Sequence, residues 1–186
     1  MRSNYNPSID GLSLVALAFL AVMALNLLGG QATTSAAVAQ VGIITPTPDL
    51  ARVAPPYEHY VLTQGPHGVS YGHLAIDLAA GEGAVIQSPI SGEVVEGYMD
   101  DLGNSTLVIE NTFYRVTLLH GLYTVEVGTW VDIGQALGFE SNQGYTVDMQ
   151  GNPCWGRSGC GYHTHLNIYD KLAGDNRNPL ELFEQR

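Results

Sequence analysis

The sequence predicts an all-β fold, an antiparallel sheet or sandwich forming one domain and preceded by an N-terminal hydrophobic helix. Three observations carry this reading. From Tyr57 onward, Gly and Pro interrupt runs rich in Val, Ile, Leu, Thr and Tyr about every ten residues, the rhythm of short strands joined by turns. Helix has little room in that region. A single long apolar stretch near the N-terminus stands apart from it, and 186 residues suffice for one compact domain plus such an appendage.

Taken in order, the candidate strands cover residues 60–63, 74–79, 84–87, 92–98, 105–110, 114–120, 129–133 and 163–169. Asn111 and Thr112 are placed to turn a hairpin between the fifth and sixth. In the sixth, Val116, Leu118 and His120 fall on one face. Asn178-Pro179-Leu180-Glu181 can start a short C-terminal helix, since Pro suits a first turn.

Residues 11–28 are almost wholly apolar and uncharged. They are near the lower limit for spanning a bilayer and long for a signal-peptide core. Arg2 and the amino terminus lie on the leading side, and no Lys or Arg follows until Arg52, which places the N-terminus inside and the rest outside. Ala37-Val38-Ala39 would serve as a small-residue cleavage site. The expected organisation is therefore a signal peptide or membrane anchor over 1–39, a linker with Pro46, Pro48, Pro55 and Pro56 over 40–56, and a folded domain over 57–186. The bulk is expected to be exported, anchored or secreted.

Lys and Arg number 7 against 18 Asp and Glu. Removing residues 1–39 takes away Arg2 and Asp10, one charge of each sign, so the exported part keeps the net charge of −11. A surface so acidic excludes a nucleic-acid partner, which needs clustered cations. Membrane association is expected only through an uncleaved N-terminal segment, and nothing fixes the oligomeric state. The two cysteines, Cys154 and Cys160, are close enough in one loop to form a disulfide in an oxidising compartment and to stiffen the segment leading to His163.

The chemistry-bearing residues come in two pairs. His73 and Asp77 are four apart, and His163 and His165 two apart, so on extended strands each pair projects to one side. His and Asp side chains are nitrogen and oxygen ligands suited to Zn²⁺, and three protein ligands leave a fourth position for water, the arrangement of a catalytic rather than a structural site. Such an ion brings the pKa of its water to about 7 and polarises a carbonyl. The remaining histidine of the pair then becomes a proton handler.

Residues 60–170 resemble the lysostaphin-like, LytM-type zinc endopeptidases, whose domains cut peptide bonds of bacterial cell walls and carry a duplicated hybrid β motif. The resemblance rests on His73-Leu-Ala-Ile-Asp77, Ser88-Pro-Ile-Ser-Gly-Glu-Val-Val95, Val116-Thr-Leu-Leu-His120, Val127-Gly-Thr-Trp-Val-Asp-Ile-Gly-Gln-Ala-Leu-Gly138 and the His163-Thr-His165 motif, in that order. It implies His73, Asp77 and His165 as ligands of one Zn²⁺ ion and His120 and His163 as the catalytic histidines. It implies peptidoglycan peptides as the substrate. Ala75 stands where Gly is common in the family, Thr164 where Leu is usual and Tyr162 where Pro is usual, departures that bear on specificity more than on zinc binding.

Other polar residues are weaker candidates. His67 in Gly-Pro-His-Gly and His59 beside Glu58 read as turn residues and candidates for substrate contact, Asp100-Asp101 as an exposed turn, and Asp148 as a groove residue. The segment 144–161 is longer than the family pattern requires, and its Tyr145, Trp155 and Arg157 either line a cleft or decorate a clamped loop. Two rival functions share parts of this pattern. The Gly-Glu-Val-Val and Gly-Gln-Ala-Leu rhythm also suits biotinyl or lipoyl carrier domains, but the sole lysine, Lys171, lies well outside the hairpin that would carry the acyl group. A catalytically silent relative that binds walls or regulates another hydrolase tends to lose ligands, and here none is lost.

Overall fold

The computed structural model describes residues 49–183. The expected signal or anchor over 1–39 and the first part of the linker lie outside the described residues. Among those described, no helix is long and apolar enough to cross a membrane. From Leu50 on, the chain already lies against the domain: Val53 and Tyr57 are buried, Ala54 N–H donates to the Pro89 carbonyl, and Pro56 accepts from Gln87 N–H.

The strands are β1 (Val61–His67), β2 (Ala75–Ala79), β3 (Val85–Gln87), β4 (Gly92–Met99), β5 (Ser105–Glu110), β6 (Tyr114–Leu119), β7 (Leu122–Tyr123), β8 (Trp130–Val131), β9 (Ala136–Phe139), β10 (Thr164–Asp170) and β11 (Asp175–Arg177). A 3₁₀ turn, Val69–Tyr71, joins β1 to β2, and one short helix, α1 (Pro179–Phe183), closes the described chain. All pairings are antiparallel, as the alternation of apolar and polar residues predicts. The larger sheet runs β1-β2-β10-β6-β5-β4-β8 with β11 on β10, and the smaller runs β3-β9-β7.

One core serves both sheets. Ile86 of β3 and Leu137 of β9 cluster with Ile76, Leu78, Leu107, Ile109, Val116, Leu118, Leu166 and Ile168 of the large sheet. Because side chains alternate along a strand, committing Ile76, Leu78, Leu166 and Ile168 to this core sends Asp77, His165 and Asn167 to the opposite face. The β5–β6 hairpin forms at Asn111, whose side-chain carbonyl accepts from Phe113 and Tyr114 N–H, an Asx-type turn that fixes the register Glu110↔Arg115.

Two sequence expectations change. The sixth strand ends at Leu119, and His120 does not share the core face of Val116 and Leu118. Its φ is +70°, the only positive value at a non-glycine residue among those described, and this turn of the backbone carries its imidazole out of the core-facing row. His67, expected in a turn, is the last residue of β1, which tolerates Pro66 because it is an edge strand.

Candidate metal centre and histidine cluster

The site begins with the ladder between β2 and β10. Its register sets His165 directly opposite Asp77 on the face away from the core, where cross-strand side chains touch. His165 Nδ1 lies 3.0 Å from Asp77 Oδ1, and both residues are buried. β6 flanks β10 on its other side with His165 opposite Leu119, so the next residue, His120, emerges at the same end of the sheet.

His120 and His163 face each other with ring centroids 4.7 Å apart, and His120 is 6.4 Å from His165. Each is oriented through Nδ1: His120 Nδ1–H donates to the Gln143 carbonyl at 2.8 Å, and His163 Nδ1–H to the Gly161 carbonyl at 2.8 Å. Both Nε2 atoms are thereby left as lone-pair donors toward the site. His163 Nε2 is 3.7 Å from Asp77 Oδ2. Burial, and then the neighbouring His163 charge, push the pKa of His120 down to about 4, so it is neutral at pH 7 and able to accept a proton.

Asp77 carries opposing influences. Burial acts to raise its pKa, but the hydrogen bond to His165 and the charges of His163, His165 and His67 together outweigh that and hold the carboxyl below its ordinary value. His73 is shifted downward by burial first and then by His165 and His67, which keeps its imidazole neutral, the form that binds metals. Its ring centroid is 5.9 Å from that of His165.

Among the described residues the tight cluster of metal-grade atoms is His67, Asp77 and His165, all mutually within 4.8 Å. His67 is therefore the residue that sequence reasoning placed elsewhere; the Pro66 and Gly68 neighbours that mark a turn hid it. His73 lies beside this cluster rather than inside it, while His120 and His163 form the second pair. The imidazoles of His67 and His165 with the Asp77 carboxylate, the last two buried and His67 half-buried, suit Zn²⁺ by donor chemistry.

The loop between β9 and β10 builds the rim. Asn142 Nδ2 donates to the carbonyls of Cys154, Arg157 and Cys160, and Cys154 is bonded to Cys160 with Cα atoms 5.2 Å apart. Gly161 sits against this cross-link, where a Cβ would come within 2.7 Å of Cys154 Cβ. Tyr145 and Trp155 are exposed. Asp148 is engaged within the loop, accepting from Gln150 and Asn152 N–H and lying 3.7 Å from Arg157 Nη1. Asp100 caps its own turn through Leu102 and Asn104 N–H, as expected. His59 is exposed.

No protein-family model and no curated protein matches the sequence. Solved structures do match. A protein assigned as a peptidase M23 from Pseudomonas aeruginosa aligns with a TM-score of 0.55 and 20% identity over 74% of this chain and 53% of its own. The chain has the M23 peptidase fold, shared with lysostaphin. Lysostaphin, the antimicrobial peptidase of Staphylococcus simulans, gives a TM-score of 0.51 and 19% identity over 73% of this chain and 53% of its own. A zinc-containing peptidase from Vibrio cholerae gives 0.51 and 22% over 69% and 39%. The chain thus spans about half the length of the first two, and at these identities the likeness establishes the architecture.

Proposed function

We propose that this domain is a zinc-dependent endopeptidase of an exported protein, acting on the peptides of bacterial peptidoglycan. The observation that carries the reading is the placement of the His120–His163 pair beside the Asp77–His165 pair at one end of the sheet. His73, Asp77 and His165 would hold the ion, which when bound supplies Lewis acidity and makes water acidic enough to attack at neutral pH. His163, facing Asp77, takes a proton at Nε2 from the attacking water, and that proton is returned to the leaving amine, directly or through the neighbouring His120, which burial keeps neutral and so able to accept it before giving it up. The anchoring carbonyls of Gln143 and Gly161 hold both rings in place while protons move at Nε2.

Export fits the same picture. The segment 1–39, with its apolar stretch over 11–28, acts as signal or anchor with the N-terminus inside, 40–56 leads to the domain, and the Cys154–Cys160 bond is at home in an oxidising compartment. Lysostaphin's description as an antimicrobial peptidase supports the choice of wall peptides. The test is metal content of the purified protein together with clearing of a cell-wall suspension, with and without a chelator. Chelator-sensitive clearing with about one zinc per chain is expected; stoichiometric zinc with intact walls would reject hydrolysis in favour of wall binding.

A further inference from the structure

The function just proposed uses three ligands and two proton-handling histidines, and it leaves one half-buried imidazole, that of His67, without a task. His67 Nε2 lies 3.3 Å from His165 Nδ1 and 3.6 Å from Asp77 Oδ1, and the latter two atoms are 3.0 Å apart. A tetrahedral zinc with bonds of about 2.0–2.1 Å separates its ligand atoms by about 3.3–3.4 Å. The three observed separations bracket that edge, so these atoms stand as three corners of one coordination polyhedron.

The second partners agree. His67 Nδ1 is 2.9 Å from the Gly65 carbonyl, and with its proton donated there, Nε2 presents a bare lone pair. Asp77 Oδ1 presents another. Two acceptors and His165 Nδ1 converge on one point, and a single proton on His165 can serve only one of its two neighbours. A cation satisfies all three.

Local backbone shows how a fifth imidazole reaches the face. β1 pairs with β2 so that His67 lies opposite Ala75, two residues before Asp77 and therefore on the same side of the sheet. The turn that follows is closed by His73 N–H donating to the Gly68 carbonyl at 3.1 Å, with Gly68 at φ +89°. A Cβ on Gly68 would meet Tyr71 at 3.0 Å and His73 Cβ at 3.1 Å. His67 and His73 thus flank one tight turn that delivers two imidazoles to the Asp77–His165 pair.

We propose that His67 is a fourth protein ligand: His67, Asp77 and His165 supply three corners as they stand, His73, whose ring centroid is 5.9 Å from that of His165, swings in as the remaining one, and the resting site has no open position until His67 withdraws. The proposal rests on the metal assignment above. It separates this chain from a three-ligand site, because four protein donors are the mark of a closed centre. His67 is the ligand suited to leave: it ends an edge strand whose pairing to β2 is irregular between Gln64 and His67.

The test is zinc K-edge absorption on the zinc-loaded full chain, with zinc affinity from chelator competition. Wild type should show three imidazoles, and His67→Ala two imidazoles with an added water-type oxygen. Affinity should fall about 100-fold, at the upper end of what even outer partners contribute, while turnover per bound zinc rises. Two imidazoles in wild type, a reading that needs no variant to fold, overturns the proposal. So does an unchanged count and affinity in His67→Ala, or a wild-type chain that takes up no zinc. Zinc held by three imidazoles including His67, with wall peptides left uncut, upholds this ligation and removes only the peptidase reading.

Discussion

His120 and His163, their ring centroids 4.7 Å apart and their planes tilted by 58°, are held beside each other by two carbonyls of one connection, Gln143 and Gly161, both lying between β9 and β10. The pair proposed to move protons is thus positioned by the rim loop, whereas the Asp77–His165 pair is positioned by the sheet. That division separates the effects of substitution.

Replacing His120 or His163 with Ala should leave zinc content and the melting profile near wild type and lower hydrolysis of wall peptides by about 10²- to 10⁴-fold, the usual worth of a positioned acid or base. Wild-type rates from both variants would remove them from the chemistry.

Asp77→Asn should behave in the opposite way. It replaces a charged donor shared by His165, His163 and His67 with a neutral amide, so the metal should be lost while the β-type circular dichroism persists, since the β2–β10 ladder is made by backbone. Retention of one zinc per chain at wild-type affinity would exclude Asp77 as a ligand.

The disulfide loop offers a third test. Gly161 has φ +67° and abuts Cys154, so Gly161→Ala should cost about 1–3 kcal/mol through strain and overlap and should lower turnover by moving the carbonyl that orients His163. Cys154→Ser with Cys160→Ser releases the small cross-linked loop and should cost roughly 2 kcal/mol. Thermal denaturation and rate measurements on the same samples distinguish a displaced His163, which depresses turnover in the still-folded protein, from a general loss of stability.

Stability should fall in acid in part through Glu110. Its partial burial acts to raise the pKa, but Lys171 Nζ at 2.9 Å and the Arg115 guanidinium more than reverse this, leaving the carboxyl below the ordinary value of 4.5. A depressed folded-state value gives stability that is complete above the unfolded-state pKa and disappears as pH falls through the folded-state pKa. Glu110→Gln should therefore destabilise by on the order of 1 kcal/mol at pH 7 and by much less near pH 3. Equal losses at both pH values would assign the effect to packing.

Much of this architecture was legible from local pattern. Residues 105–110 are read with the bounds the structure gives, and 74–79, 84–87 and 92–98 differ from β2, β3 and β4 by one residue at an end, because apolar alternation runs up to a Gly or a turn. β7, β9 and β11 have only two to four residues, too few to show a period. β9 also contains Gly138, where a Cβ would fall 2.1 Å from the Leu122 carbonyl, a demand for close strand approach that the sequence presents as a turn signal. The departures at the site have the same origin. His120 leaves its face through one backbone dihedral, and His67 meets Asp77 and His165 across 10 and 98 positions, distances at which no local signal operates.

The β2–β10 register has a consequence for how such a domain changes over time. Since main-chain bonds, not the imidazoles, keep these strands together, erasing a donor leaves the scaffold standing. A lineage built this way can lose a metal-grade side chain in one codon and still keep its sheet intact.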